Sequence, residues 1–170
     1  MTPSKITNLC RYGSAPLEWS RALAALSPGS SPTQTHFLGT CRPDGTPHAA
    51  GIGALWRDGF YYFTSNPATR KARDLAVNPR CTISAALPGL DVVLEGTAAR
   101  VTDPAVLAEV AAGYRAGGWP AEVAGDALTA PFSAPSAGPP PWEVYRFTFH
   151  TVVGVATAEP HGATKWTFDR

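Results

Sequence analysis

Two turn signals set close together limit what this chain can become. Pro43-Asp44-Gly45 and Arg57-Asp58-Gly59 each end in a glycine that accepts positive φ, and the first opens with a proline that fixes φ. Around them lie "QTHFLGTCR" (34–42), "TPHAAGIGALW" (46–56) and "FYYFTS" (60–65), the last rich in the aromatic residues that strands favour. Short runs joined by tight turns fold back on one another. The spacing predicts three consecutive antiparallel strands.

Helices are inserted between the strands that remain. "PLEWSRALAAL" (16–26) predicts a short helix, closed by "SPGSSPT" (27–33). A second helix runs from about Ala68 to Val77 and stops at Asn78-Pro79, with Ala72, Leu75 and Ala76 as its apolar face. "CTISAALP" (81–88) and "DVVLEGTAARVTD" (91–103) read as strands split by Pro88-Gly89. Asp103 is an N-cap with Pro104 at the first helical position, and Val106, Leu107, Val110, Ala111 and Tyr114 then form one stripe. Residues 117–141, rich in Pro and Gly, predict a long ordered surface loop. "WEVYRFTFH" (142–150) alternates, with Tyr145, Phe147 and Phe149 on one face, and "TVVGVATA" (151–158) reads as a further strand. Strands and helices do not alternate regularly, which excludes a parallel α/β fold. The expected class is mostly β with inserted helices, one domain over 1–170, its antiparallel strands forming a barrel or a sandwich, of which a closed barrel would also hide the sheet edges.

Composition narrows the function. A net charge of +1 argues against bulk nucleic-acid binding, so any attraction for anions is local. Only 16% of residues are charged, which suggests surface covered by a partner or a second copy. Cys10, Cys41 and Cys81 are odd in number and far apart, and the four histidines have no zinc spacing, so reduced thiols and no metal are expected. No apolar signal region follows Met1 and no run approaches a membrane span, so the expectation is a soluble, cytoplasmic chain.

The chemistry gathers at "TSNPATRKARDL" (64–75). Arg70, Lys71 and Arg73 crowd the start of the second helix, where the backbone already carries partial positive charge and acids are preferred. One reading is an Arg70–Asp74 ion pair at i,i+4 on a solvated face. The other is a phosphate site, in which Thr64, Ser65, Thr69, Arg70 and Lys71 supply hydroxyls and cations beside free backbone N–H groups. "GIGALW" (51–56) lacks the third glycine of a dinucleotide fingerprint and leads into a hairpin. Ala49, Ala50, Gly51, Ile52 and Gly53 instead make a strand with little bulk, which marks either close approach of a ligand or a barrel corner. No catalytic acid, base or nucleophile stands out. Reactivity would come from a bound organic cofactor.

The stretch "RPDGTPHAAGIGALWRDGFYYFTSNPATRKARDLAVNPRCTISA", followed by "VVLEGTAARVTD", resembles the pyridoxamine 5′-phosphate oxidase-like split β-barrel superfamily over roughly residues 33–168. The resemblance implies a split barrel, a homodimer with cofactor at the interface, and a cofactor phosphate held by Arg70 and Lys71. "PFSAPSAGPPPWEVYRF" and "GATKWTF" look like the flavin/deazaflavin oxidoreductases of group B, many of which use coenzyme F420 rather than FMN. That likeness implies an F420-dependent oxidoreductase acting on an unsaturated small organic substrate. Lys165 and Trp166 would then lie near the cofactor, and Trp142 at the substrate rim. FMN in the same fold, and a non-enzymatic module for haem or another apolar ligand, are the alternatives. The substrate-gripping Arg-x-His of pyridoxamine phosphate oxidases is missing from "KWTFDR". Lys165-Trp166-Thr167-Phe168 stands where group members commonly have Arg-Trp-Arg-Phe.

Overall fold

The computed structural model describes residues 1–27 and 34–169; of the turn expected at 27–33, all but Ser27 lies outside them. Strand β1 (Lys5–Asn8) precedes helix α1 (Trp19–Leu26). Strands β2 (His36–Cys41), β3 (Pro47–Ile52), β4 (Leu55–Arg57) and β5 (Phe60–Ser65) lead to α2 (Arg70–Val77). Strands β6 (Arg80–Leu87) and β7 (Leu90–Val101) lead to α3 (Pro104–Ala116). A small hairpin, β8 (Glu122–Ala124) with β9 (Ala127–Thr129), comes before β10 (Glu143–Ala156) and β11 (Ala163–Thr167).

The large sheet is antiparallel and runs β1-β11-β10-β7-β6-β2-β3, while β10 also pairs with β5, which carries β4. Consecutive strands β3 and β4 thus bond to opposite ends of the sheet, β3 to β2 and β4 to β5. The sheet has to curl for that to happen, and the seam falls between β3 and β4. This is the antiparallel split β-barrel that the sequence leads one to expect.

Alternate residues point inward and fill it. Leu38, Phe63, Ile83, Leu94, Phe147 and Phe149 are fully enclosed, each such side chain contributing about 1.5–3 kcal/mol. A second apolar cluster, with Tyr62, Leu107, Val110, Leu128 and Val144, lies under α3 and the β8–β9 hairpin. Asp103 caps α3 as its sequence predicts, its Oδ1 accepting the N–H groups of Ala105 (2.9 Å) and Val106 (3.1 Å). Arg21 on α1 clasps two distant turns, donating to the carbonyls of Gly89, Ala158 and Pro160.

Several expectations need correction. The segment 46–56 is two strands, because the chain changes pairing partner at Gly53-Ala54. Conversely 142–150 and 151–158 form one strand. Phe149 faces Gly96 and Thr151 faces Glu95, so His150 is an extra residue in a bulge that shifts the alternation by one. Gly96 is required opposite it, since a side chain there would strike the backbone of Thr148 and Phe149. Part of 117–141 is the β8–β9 hairpin, and α1 starts three residues after Pro16. On α2 the buried face is Ala72, Asp74 and Leu75, and Ala76 is exposed.

Candidate cofactor site

Strand β5 delivers the chain to a turn whose bonds are nearly all local. Asn66 Oδ1 accepts the Ala68 N–H (2.8 Å), and the Asn66 carbonyl accepts the Thr69 N–H (3.0 Å) and hydroxyl (2.9 Å). Thr69 is the N-cap of α2, its Oγ1 accepting from Ala72 N–H at 3.4 Å. The hydroxyl of Ser65, itself buried, lies 2.7 Å from Thr69 Oγ1. Ser65 and Thr69 therefore use their hydroxyls to build the helix start. Thr64 stands half-buried at the end of β5.

Arg70 and Lys71 occupy the first two positions of α2, where backbone N–H groups have no intrahelical acceptor. Among the described residues neither N–H finds another acceptor, and no carboxylate pairs with Arg70, Lys71 or Arg73. The Arg70–Asp74 ion pair is not formed. Asp74 is instead buried, accepting the Thr40 hydroxyl at 2.9 Å and tying α2 to β2. Lys71 is half-buried, and loss of hydration pushes its ammonium below the ordinary lysine range. Two backbone donors, a guanidinium and a partly desolvated ammonium, with no internal acid, are a donor set that fits a phosphate.

Helix α2 packs across β2 and β3. β3 is the last strand of its sheet path, so among the described residues its outer edge pairs with no other strand. Along it and just past its end, Ala49, Gly51 and Gly53 are exposed, while Ala50 and Ile52 are half-buried. The two glycines are informative. A Cβ at Gly154 would lie 2.8 Å from the Trp166 ring, and one at Gly113 2.7 Å from Leu55, so packing within the chain demands glycine there. At Gly51 and Gly53 a Cβ would meet nothing within 4 Å, and neither has positive φ. Among the described residues no side-chain packing explains them.

The other expected site residues lie elsewhere. Trp166 is fully enclosed in the main core, its ring centroid 5.5 Å from that of Trp19, so its indole cannot reach a surface ligand. Trp142 sits one residue before Glu143, which pairs with Ser65, so its backbone is near the turn. Its indole is nonetheless buried against Trp119 and donates to the Gly138 carbonyl at 3.2 Å. Lys165 lies on the outward face of the sheet, in register with Val153. Sequence reasoning overlooked Asn66, read only as half of a breaker; its Nδ2 donates to the Pro139 carbonyl at 2.7 Å and ties the proline-rich loop to this turn.

Among the described residues no three His, Cys, Asp or Glu side chains gather as a metal site, and no helix is long and apolar enough to cross a membrane. A groove of about 750 Å³ opens next to β3, lined in part by Gly39, His48, Ala49, Thr82 and Glu95.

Barrel, seam and cation-bearing helix define a split-barrel protein. The sequence profile of the pyridoxamine 5′-phosphate oxidase family matches residues 30–156, and the chain belongs to that family. A search of curated proteins found no match. Among solved structures, a pyridoxamine 5′-phosphate oxidase-related, FMN-binding protein from Nostoc punctiforme is 16% identical, with a TM-score of 0.55 over 93% of this chain and 99% of its own. An F420 reductase is 21% identical, with a TM-score of 0.52 over 76% of this chain and 93% of its own. A heme-binding protein from Mycobacterium smegmatis is 18% identical, with a TM-score of 0.57 over 78% of this chain and 52% of its own. At such identities the likeness is one of fold.

Proposed function

We propose that this protein is an F420-dependent oxidoreductase that works as a homodimer on an unsaturated small organic substrate. The observation that carries the reading is the pairing of two features no internal contact accounts for. Among the described residues, these are the cations at the start of α2, paired with no acid, and Gly51 and Gly53 at the end of β3, where an added Cβ would meet no neighbour. Arg70 and Lys71 would hold the cofactor phosphate through side chains and backbone N–H groups. The strand from Ala49 to Gly53 would take the flat ring system, its small side chains allowing close approach to the backbone. When bound, the deazaflavin supplies hydride chemistry; the protein supplies orientation and a dry surface.

Distance supports a second copy, if Lys165 serves the cofactor. Gly51 and Lys165 share the outward sheet face but stand five strand spacings apart, about 24 Å along the sheet. Lys165 would therefore reach a ring on β3 only from the partner protomer. Phe37, Val93 and Val155 lie on that face and are 49%, 41% and 47% exposed, a surface suited to burial against a second copy.

FMN is the second reading, favoured by the FMN-binding fold neighbour that covers nearly the whole chain. Separate titrations of the purified protein with F420 and FMN distinguish the two. Tight F420 binding is expected. Tight FMN binding with no F420 response replaces the first reading by the second. A Soret band on adding haem, with no response to either flavin, overturns both.

A further inference from the structure

Gly53 and Ala54 sit where the chain leaves one ladder and has not yet joined the next. Backbone groups at such a crossing lack strand partners and need another source of hydrogen bonds. The Gly53 carbonyl receives one from an unexpected place. The Tyr114 hydroxyl, on α3, lies 2.8 Å from it and 3.3 Å from the Tyr62 carbonyl. A phenol has a single proton to donate, and the shorter distance assigns it to Gly53.

Everything around Tyr114 favours that bond. Gly113, the preceding residue, lets α3 approach β4 so closely that a Cβ would crowd Leu55. The Tyr114 ring packs edge-on against Trp119, centroids 5.0 Å apart, and the Trp119 indole is itself fixed by donating to the Phe132 carbonyl at 2.7 Å. Burial raises the pKa of the phenol, so it remains a donor across the physiological range. A residue whose spacing suggests only an apolar stripe thus acts as a polar clasp.

We propose that Tyr114 is a positioning residue: by holding the Gly53 carbonyl it fixes the end of β3 against which the cofactor ring lies. This rests on the reading of β3 as the ring-binding strand. Its prediction differs from that for the cations, because Tyr114 acts at the ring end and Arg70 with Lys71 at the phosphate end.

The test uses Tyr114→Phe, which keeps the ring and removes the hydroxyl. Affinity is measured for the preferred cofactor, FMN or F420, and for its phosphate-free form, riboflavin or the corresponding deazaflavin. Losing one neutral hydrogen bond should weaken both by roughly threefold to tenfold, and by the same factor. Backbone amide exchange at Ala54 and Leu55 should quicken in the cofactor-free variant, while amides in the main core keep their protection. A merely structural role would lower protection throughout and leave no selective effect at the corner. Unchanged affinity for both forms overturns the proposal and leaves the cofactor reading standing. Weakening of the phosphorylated form alone also overturns it. Wild-type protein that binds neither FMN nor F420 overturns the reading and the proposal together. Should Tyr114→Phe fail to fold, exchange in the wild type decides: cofactor must protect Ala54 and Leu55, and no protection there refutes the positioning.

Discussion

Replacing Arg70 and Lys71 together by Ala should cut cofactor affinity at least about a hundredfold while leaving the cofactor-free protein as stable as before, or more so. The two side chains make no ion pair within the described chain, so their removal breaks no internal contact of that kind. Each occupies one of the first two helical positions, where a cation opposes the helix dipole by about 0.3–1 kcal/mol. Lys71 also carries its charge half-buried, and the substitution relieves that. On the ligand side, each charge-assisted contact to a phosphate is worth roughly 1.5–3 kcal/mol. Two of them come to at least about 3 kcal/mol, or roughly two powers of ten at ~1.4 kcal/mol each. The assay is a cofactor titration with a thermal melt on the same preparations, and Arg73→Ala, exposed and further along α2, is the control. A double variant that melts lower yet binds cofactor normally would refute the phosphate site.

Gly51→Val places a β-branched side chain in open space on an edge strand, so the melting temperature should hold or rise, while cofactor affinity falls tenfold or more, on the order of 1.4 kcal/mol. His36 is buried, its Nδ1 3.3 Å from the Gln34 carbonyl and its Nε2 3.3 Å from the Tyr61 hydroxyl, and burial lowers its pKa. The unfolded chain therefore takes up this proton first. The contribution of His36 to stability is complete above about pH 6.5 and is lost as pH falls below that value toward its folded pKa. Urea melts of His36→Gln between pH 7 and 5 should show a flatter profile than wild type; an identical slope contradicts the assignment. Light scattering should find a dimer, and Phe37→Glu with Val93→Glu should yield monomers that bind cofactor poorly. A monomeric wild type that binds tightly would rule out a shared site.

Local chemistry makes the hairpins and the α3 cap readable in advance, because Pro, Asp and Gly at turns and Asp103 before Pro104 act on their own backbone. What long-range pairing decides is less legible. At His150 one extra residue shifts the alternation, so a single strand reads as two. Asp74 has the spacing of a surface pair with Arg70, but packing on β2 turns it inward to Thr40. Trp166 belongs to a motif that suggests a cofactor rim, yet its register against Val152 and Ile6 directs the indole into the core. Strand β1, short and on an edge, has no turn signal beside it to mark it. Of the candidate site, the cations and the small-residue strand are visible in one dimension. The clasps at Asn66 and Tyr114 are not, because their acceptors, Pro139 and Gly53, are distant in sequence.

The seam between β3 and β4 bears on how the chain is made. Strand β10 is the joint that bonds both β5 and β7, and at residues 143–156 it is made after both of them. Until it emerges from the ribosome, the facing edges of β5 and β7 have no partner, and the loop connecting β3 to β4 cannot be drawn closed. A nascent or truncated chain ending before residue 142 would display two unpaired apolar strand edges, the arrangement most prone to sticking to its neighbours. Closure of this barrel therefore waits on β10, the later-made partner of both edges.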